Sequence, residues 1–428
     1  MDIGAVRTLI VRRRGALLAI SVVILGAAAA FLAVSVVGQA RELAVGTPAS
    51  PSAGASPTAI ATPEPTPDVA ATPDATPAPT PAPTPASTPA AIAGLTLAAM
   101  FDDGDGMTAV HDVAVWKGAF VALGESWELD ATNPEPRVWR SADGRSWSEG
   151  TIDLGPGASP RTLAPLADGS LMILGTIGGS VEYWSDPARA GAWTSPDGVA
   201  WTRLDLPFDG DSVYGPIEFA AGGRGLVATI DAEIWHSPDG RTWRLAYDAP
   251  RGTTVYGAVA GDEGWIVKRA NASLGTTTLL VSGDAATWHE VDLGHVGAVG
   301  NVAGDWLASR QSDDWERTEI LRSANGLDWH VILDLNALIA PEQESGFNSA
   351  ILSGTDEVLV LSPWSQGHCT GMPSGGLGAW WSVDGGTWAP TGTGDESVVT
   401  HTVEAGDVTV MAGYSVSTGD IAFWVSAR

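Results

Sequence analysis

An all-β domain of radially repeated four-stranded blades is what the sequence predicts, and three observations predict it. A short string recurs along the chain: SPDGVAW at Ser195–Trp201, SPDGRTW at Ser237–Trp243, and related versions at Ser141–Trp147, Ser282–Trp288, Ser323–Trp329 and Ser382–Trp388. The copies stand roughly 40 to 60 residues apart, the self-similar period of a repeat architecture. Before each lies an apolar run, a Gly/Asp-rich turn and a second run, as in LAPLADGSLMILG at 163–175 and TVEAGDVTVMAG at 402–413. Both patterns read as β-hairpins, and two hairpins make a blade.

Within the string, serine and aspartate oxygens accept hydrogen bonds from nearby backbone N–H groups, and glycine supplies the positive φ of a tight reversal. Trp139, Trp193, Trp235, Trp380 and Trp424 each stand two positions before a serine, and Leu280 and Leu321 take that place in two other copies. Strings of this form resemble the Asp-box, or BNR repeat, of sialidase-like β-propellers. The resemblance implies that each forms the hairpin between the third and fourth strands of a blade. Asp143, Asp197, Asp239, Asp284, Asn325 and Asp384 are then structural turn residues rather than metal ligands or acids, since chemistry is seldom needed six times over. Asn325 in place of aspartate and Ala285 in place of glycine predict two looser turns.

The strand IAFWVSAR, which leads into a seventh serine at Ser426, has no outer partner after it. Left alone it would expose an unpaired edge, which folded β proteins avoid. GLTLAAM at 94–100 is a strand with no blade of its own, so it is expected to lie beside Ala422–Ser426 and close a seven-bladed β-propeller over residues 93–428. The ring should be monomeric.

Arg7, Arg12, Arg13 and Arg14 precede an uncharged run, 15–37, of about 23 residues, long enough to cross a bilayer as one helix. The arginines of residues 1–14 orient it with the following chain outside the cytoplasm, a single-pass cell-membrane protein. A cleaved signal peptide ending near Gly38-Gln39-Ala40 is the competing reading. Residues 38–92 are mostly Pro, Thr, Ala and Ser, cannot bury a core, and read as a disordered stalk.

The chain carries 22 basic against 50 acidic residues, which repels phosphate backbones and argues against a nucleic-acid partner. Cys369 is the single cysteine, so no intramolecular disulfide supports the fold. No cofactor is expected. His368, Cys369 and Met372 are a soft-metal set on paper, but three ligand types on a Gly/Pro-rich loop are commonly coincidence, and no metal is expected.

Subtracting the scaffold tryptophans isolates Trp127, Trp184, Trp315 and Trp364, in the long connections between second and third strands of blades 1, 2, 5 and 6. With Tyr183 and acidic neighbours including Glu125, they suggest a rim that stacks sugars or clamps a polypeptide, on the face opposite the Asp-box turns. Resemblance to sialidases implies an arginine triad, a tyrosine nucleophile paired with glutamate, and an aspartate acid/base. The amino-terminal Arg-Ile-Pro motif is absent, and the available substitutes, Arg161, Arg251, Tyr214 with Glu218, and Tyr256, sit in no recognisable motif. A non-catalytic module that binds protein or carbohydrate at the cell surface is therefore expected, with a sialidase-like hydrolase and a surface scaffold as alternatives. His111 and His401 occupy neighbouring inner strands, one residue out of register, so they are expected on opposite pleat faces.

Overall fold

The computed structural model describes residues 95–101, 107–127, 134–178, 188–208, 217–271, 276–312, 317–335, 349–355, 359–364, 379–383, 387–391, 397–415 and 420–427, with 385, 393 and 418 besides. The expected helix 15–37 and stalk 38–92 lie outside the described residues, and among the described ones no helix is long and apolar enough to cross a membrane.

Seven antiparallel four-stranded sheets form the fold. The first strands of blades 1 to 7 are Met107–Trp116, Ala158–Pro165, Ile217–Gly222, Thr253–Gly261, His295–Val302, Ser349–Gly354 and Ser397–Ala405. Each runs beside the first strand of the next blade, and the seventh runs beside the first, so they line a closed ring around a central channel. The third strand of each blade from 1 to 6 ends on its box serine, and the box turn leads to the outer strand, as the repeat implied.

The box turns owe their shape to one oxygen. In blades 1 to 5 the serine Oγ donates to the side-chain oxygen two residues on, at 2.9–3.2 Å. That oxygen accepts two successive backbone N–H groups at 2.7–2.9 Å. Amide hydrogen bonds of this kind hold Asp143, Asp197, Asp239 and Asp284 below the ordinary carboxylate range. Asn325 makes the same bonds through Oδ1, because the turn asks for an acceptor and not for a charge. Ala285 holds the same left-handed backbone with φ 53°, and its methyl is fully buried. The two substituted turns are therefore not looser, contrary to expectation. Asp384 lies outside the described residues.

Packing runs from blade to blade. Trp193 joins Val121, Leu123 and Leu154 of blade 1 in one cluster, and the box residue Trp147 stacks on Phe423 of blade 7 at 4.0 Å. Gly240, with φ +74°, sits where a Cβ would come 2.6 Å from Met172 Cε of blade 2. A Cβ at Gly326 would come 2.8 Å from Val281 of blade 4. Cations reinforce the joint: Arg224 Nη1 of blade 3 donates to Gly283 O of blade 4 at 2.8 Å, and Arg140 of blade 1 donates to Gly198 O of blade 2.

The ring closes as expected, through the amino-terminal strand Thr96–Phe101. It pairs antiparallel with the last strand, Ile421–Ala427, from Thr96 opposite Val425 to Phe101 opposite Ile421. Phe101 meets Phe423 edge-on at 6.1 Å and Trp139 of blade 1 at 6.2 Å.

Deleting residues 95–101 should uncover this aromatic cluster and cost about 3 kcal/mol or more, read as a lowered midpoint in chemical denaturation. An unchanged midpoint would disprove closure by this strand. Gly240→Ala should cost about 1–2 kcal/mol, because alanine strains at positive φ; equal stability of variant and parent would remove the turn from the account of blade packing.

Candidate functional site at the channel and loop face

Box turns and the hairpin turns between first and second strands share one face, since Phe120 pairs with Ser141 and Leu171 with Ser195. The connections between second and third strands thus leave from the opposite face, where binding was expected.

Near that face the inner strands of blades 1, 2 and 7 each carry a β-bulge, between Val110 and Asp112, Pro160 and Thr162, and Val399 and His401. Gly124, Gly175 and Gly413 oppose the bulges, and a Cβ there would lie 1.9–2.2 Å from a carbonyl oxygen of the bulged strand. A bulge sets two residues against one and shifts the phase of the pleat. His111 is the extra residue of its strand and His401 follows the extra Thr400, a change of phase that brings the His401 side chain to the His111 main chain. His401 hydrogen-bonds the main chain of His111, which corrects the expectation of opposite faces.

Glu125 is the hub of this cluster. Its carboxylate lies 2.9 Å from His111 Nε2 and 3.2 Å from Arg161 Nη1, and it accepts from Ser159 Oγ at 2.7 Å. It belongs to the second strand, Ala119–Trp127, and is 2 % exposed, not a member of the exposed rim. Burial pushes its carboxyl up, but the His111 and Ser159 hydrogen bonds and the Arg161 charge outweigh that and hold it below the ordinary range. Burial and the Arg161 guanidinium push His111 down, and its Nε2 lies 2.9 Å from both Glu125 Oε1 and Arg161 Nη1. Burial, with His111 beside it, brings His401 down to about 4. Asp112 ties blade 1 to blade 2: Oδ2 accepts from Leu163 N and Oδ1 from Val113 N, both at 2.7 Å. Burial nevertheless raises its carboxyl to about 7.

Across the ring, Lys268 passes over the ring of Tyr256 at 4.7 Å and donates to Gly297 O of blade 5 at 3.0 Å. Gly257 permits that path, since a Cβ there would lie 2.1 Å from Lys268 Cε. Glu218 of blade 3 accepts from Gly257 N. Burial pushes Lys268 down and Tyr256 up, and the Glu218 charge adds to the rise at Tyr256. The sialidase substitutes are therefore dispersed: Arg161 in blade 2 is bound to Glu125, Arg251 is an exposed turn residue, and Tyr214 lies outside the described residues.

Trp127 and Trp364 are the last residues of second strands, opposite Met107 and Ser349, rather than loop residues. Tyr183, Trp184 and Trp315 lie outside the described residues, as do His368, Cys369 and Met372. Among the described residues no group of three His, Cys, Asp or Glu side chains is placed to hold a metal ion. A cavity of about 530 Å³ opens between blades 4 and 5 on the loop face, with Asp292, Leu293, Arg310, Gln311, Arg317 and Glu319 among its walls. Sequence reasoning missed the Glu125 hub and this cavity; the replacement of tryptophan by Leu321 was the available sign of the second.

No family model matches the chain, and no curated protein matches its sequence. Among solved structures, the β-propeller domain of the Trilobed protease from Pyrococcus furiosus is similar over 76 % of this chain and 94 % of that one, at 10 % identity and TM-score 0.47. Virginiamycin B lyase from Staphylococcus aureus is similar over 77 % and 99 %, at 10 % identity and TM-score 0.47. Penicillium chrysogenum α-L-arabinanase is similar over 74 % and 92 %, at 12 % identity and TM-score 0.40. Likeness this distant assigns no role, and the propeller architecture stands on the strand pairing itself.

Asp112 gives a signed pH dependence. Its folded value of about 7 lies above the ordinary carboxyl value, so the folded state binds the proton more tightly. That contribution is full below the unfolded value, about 4, and is lost as pH rises toward 7. His401 acts oppositely: with a folded value of about 4, its contribution is lost as pH falls from about 6.5. Asp112→Asn should hence flatten the decline in melting temperature between pH 5 and pH 8 relative to the parent; superimposable profiles would reject the buried-carboxyl account.

Proposed function

We propose that this propeller is a non-catalytic binding module, held at the outer surface of the cell membrane by the helix at 15–37 and the stalk at 38–92, that engages protein or glycan on its loop face. The engagement of Glu125 by His111, Arg161 and Ser159 carries this reading. An acid or base in catalysis must reach substrate with a free proton or lone pair. Three part-buried ionisable groups instead tie neighbouring blades: Asp112 to Leu163, Glu218 to Gly257 and Lys268 to Gly297. What remains for recognition is the loop face.

Proximity of Tyr256 to Glu218 favours a second reading, a glycoside hydrolase of the sialidase kind. Burial and the neighbouring carboxylate both disfavour the phenolate such a nucleophile requires. A glycan array and a pull-down with the full chain, run beside a fluorogenic sialoside assay, test the pair. Binding of a glycan or a defined protein without sialoside turnover is the expected outcome. Turnover by the parent that is lost in Tyr256→Phe would replace the module with the enzyme.

A further inference from the structure

The position two before the box serine separates the blades into two kinds. In blade 2 it is Trp193, 2 % exposed, which fills the crevice toward blade 1 and donates from Nε1 to Leu154 O at 2.9 Å. The facing pair on the second and third strands is Gly175 and Gly191, and a Cβ at Gly191 would lie 2.4 Å from the Trp193 ring. Blades 4 and 5 carry Leu280 and Leu321 instead, and at the second-strand position of Gly175 they carry Arg269 and Arg310.

Blade 4 refills its crevice with the protein's own groups. Arg269 Nη1 donates to the Tyr247 hydroxyl of blade 3 at 2.9 Å, and its fork holds Glu290 at 2.6 and 2.8 Å. Blade 5 does not. Arg310 directs Nε, at 3.1 Å, and Nη2 to Glu319 Oε2, and among the described residues nothing accepts from its Nη1. On the facing wall, Val291–Gly294 repeats Ile152–Gly155 of blade 1, down to the aspartate that accepts from the glycine N–H, at 2.9 and 3.0 Å. Leu154 is buried at 8 % exposure, whereas Leu293 is half-buried. Leu321 has no indole N–H to offer, and among the described residues no donor reaches Leu293 O. The space left is the cavity of about 530 Å³, within the usual range of ligand sites.

We propose that this crevice binds a saccharide, seating one pyranose ring whose hydroxyls accept from Arg310 Nη1 and donate to Leu293 O. Arg310 and Leu293 both line the cavity, among the described residues neither Arg310 Nη1 nor Leu293 O has a partner, and a hydroxyl is the group that answers both. Blade 4 fills the same place with a ring-borne hydroxyl, that of Tyr247. A phenol brings only one such group, while Asp292, Gln311 and Arg317 make the remaining wall polar and call for several. The proposal rests on the loop face being the binding face, and it names that ligand.

Saturation-transfer NMR on the full chain in detergent tests it, with methyl pyranosides of glucose, galactose, mannose, N-acetylglucosamine and glucuronic acid as probes and phenol as control. At least one pyranoside should bind and weaken about tenfold or more, or about 1.4 kcal/mol, in Arg310→Ala. The triple variant Arg310→Gly, Glu319→Ala, Leu321→Trp copies Gly413, Ala422 and Trp424 of blade 7, so it should fold, fill the crevice and abolish the signal. Absence of binding by every pyranoside, or binding of phenol alone, overturns the proposal. Undiminished pyranoside binding by the triple variant rejects this site while leaving the loop-face module standing.

Discussion

Everything in the ring depends on how each box turn fits the flank of the blade before it. Gly240 lies so close to Met172 that a methyl would intrude, and Trp147 lies flat on Phe423. Burial of such aromatic area is the main source of stability available to a chain without disulfides, and each interface draws it from two neighbours only. The turn aspartates matter because they hold that wedge in shape. Ala285 demonstrates the point: where blade 3 leaves room, the left-handed turn persists with a methyl in the gap.

The polar interior follows a similar logic. Bulges in blades 1 and 2 set His111, Asp112 and Arg161 at the joint between those blades, where they find partners across it. Glu125 reaches Arg161 and Ser159 of blade 2, and Asp112 reaches the Leu163 amide. Glu125, met by His111, Arg161 and Ser159, keeps its charge at tolerable cost, whereas Asp112, met by two amides alone, holds its proton toward neutral pH. These residues join blade 1 to blade 2.

How far the sequence revealed this differed from element to element. The closing strand was legible because Ala422–Ser426 lacked an outer partner and 94–100 lacked a blade, a deficit that can be counted without coordinates. His111 and His401 were misplaced because a bulge is a one-residue change of phase that apolar alternation does not encode. Glu125 was misassigned because its strand runs on through Trp127, beyond the last apolar residue of the run. Asn325 and Ala285 were expected to loosen their turns because residue type was read in place of what the geometry needs, an acceptor and a positive φ. The cavity beside Arg310 had only an indirect trace, the missing tryptophan at Leu321, whose meaning emerges once the blades are superimposed residue by residue.

Joining Thr96 to Val425 also sets a timetable. The two residues are 329 positions apart, so on the ribosome the first strand of the domain emerges long before its partner exists. Six blades can assemble progressively while blade 7 and the first strand wait with unsatisfied edges, and the slow loop closure comes last. Until Ile421–Ala427 have emerged, the nascent chain is an open array rather than a ring, with the unpaired edges that expose a folding intermediate to aggregation.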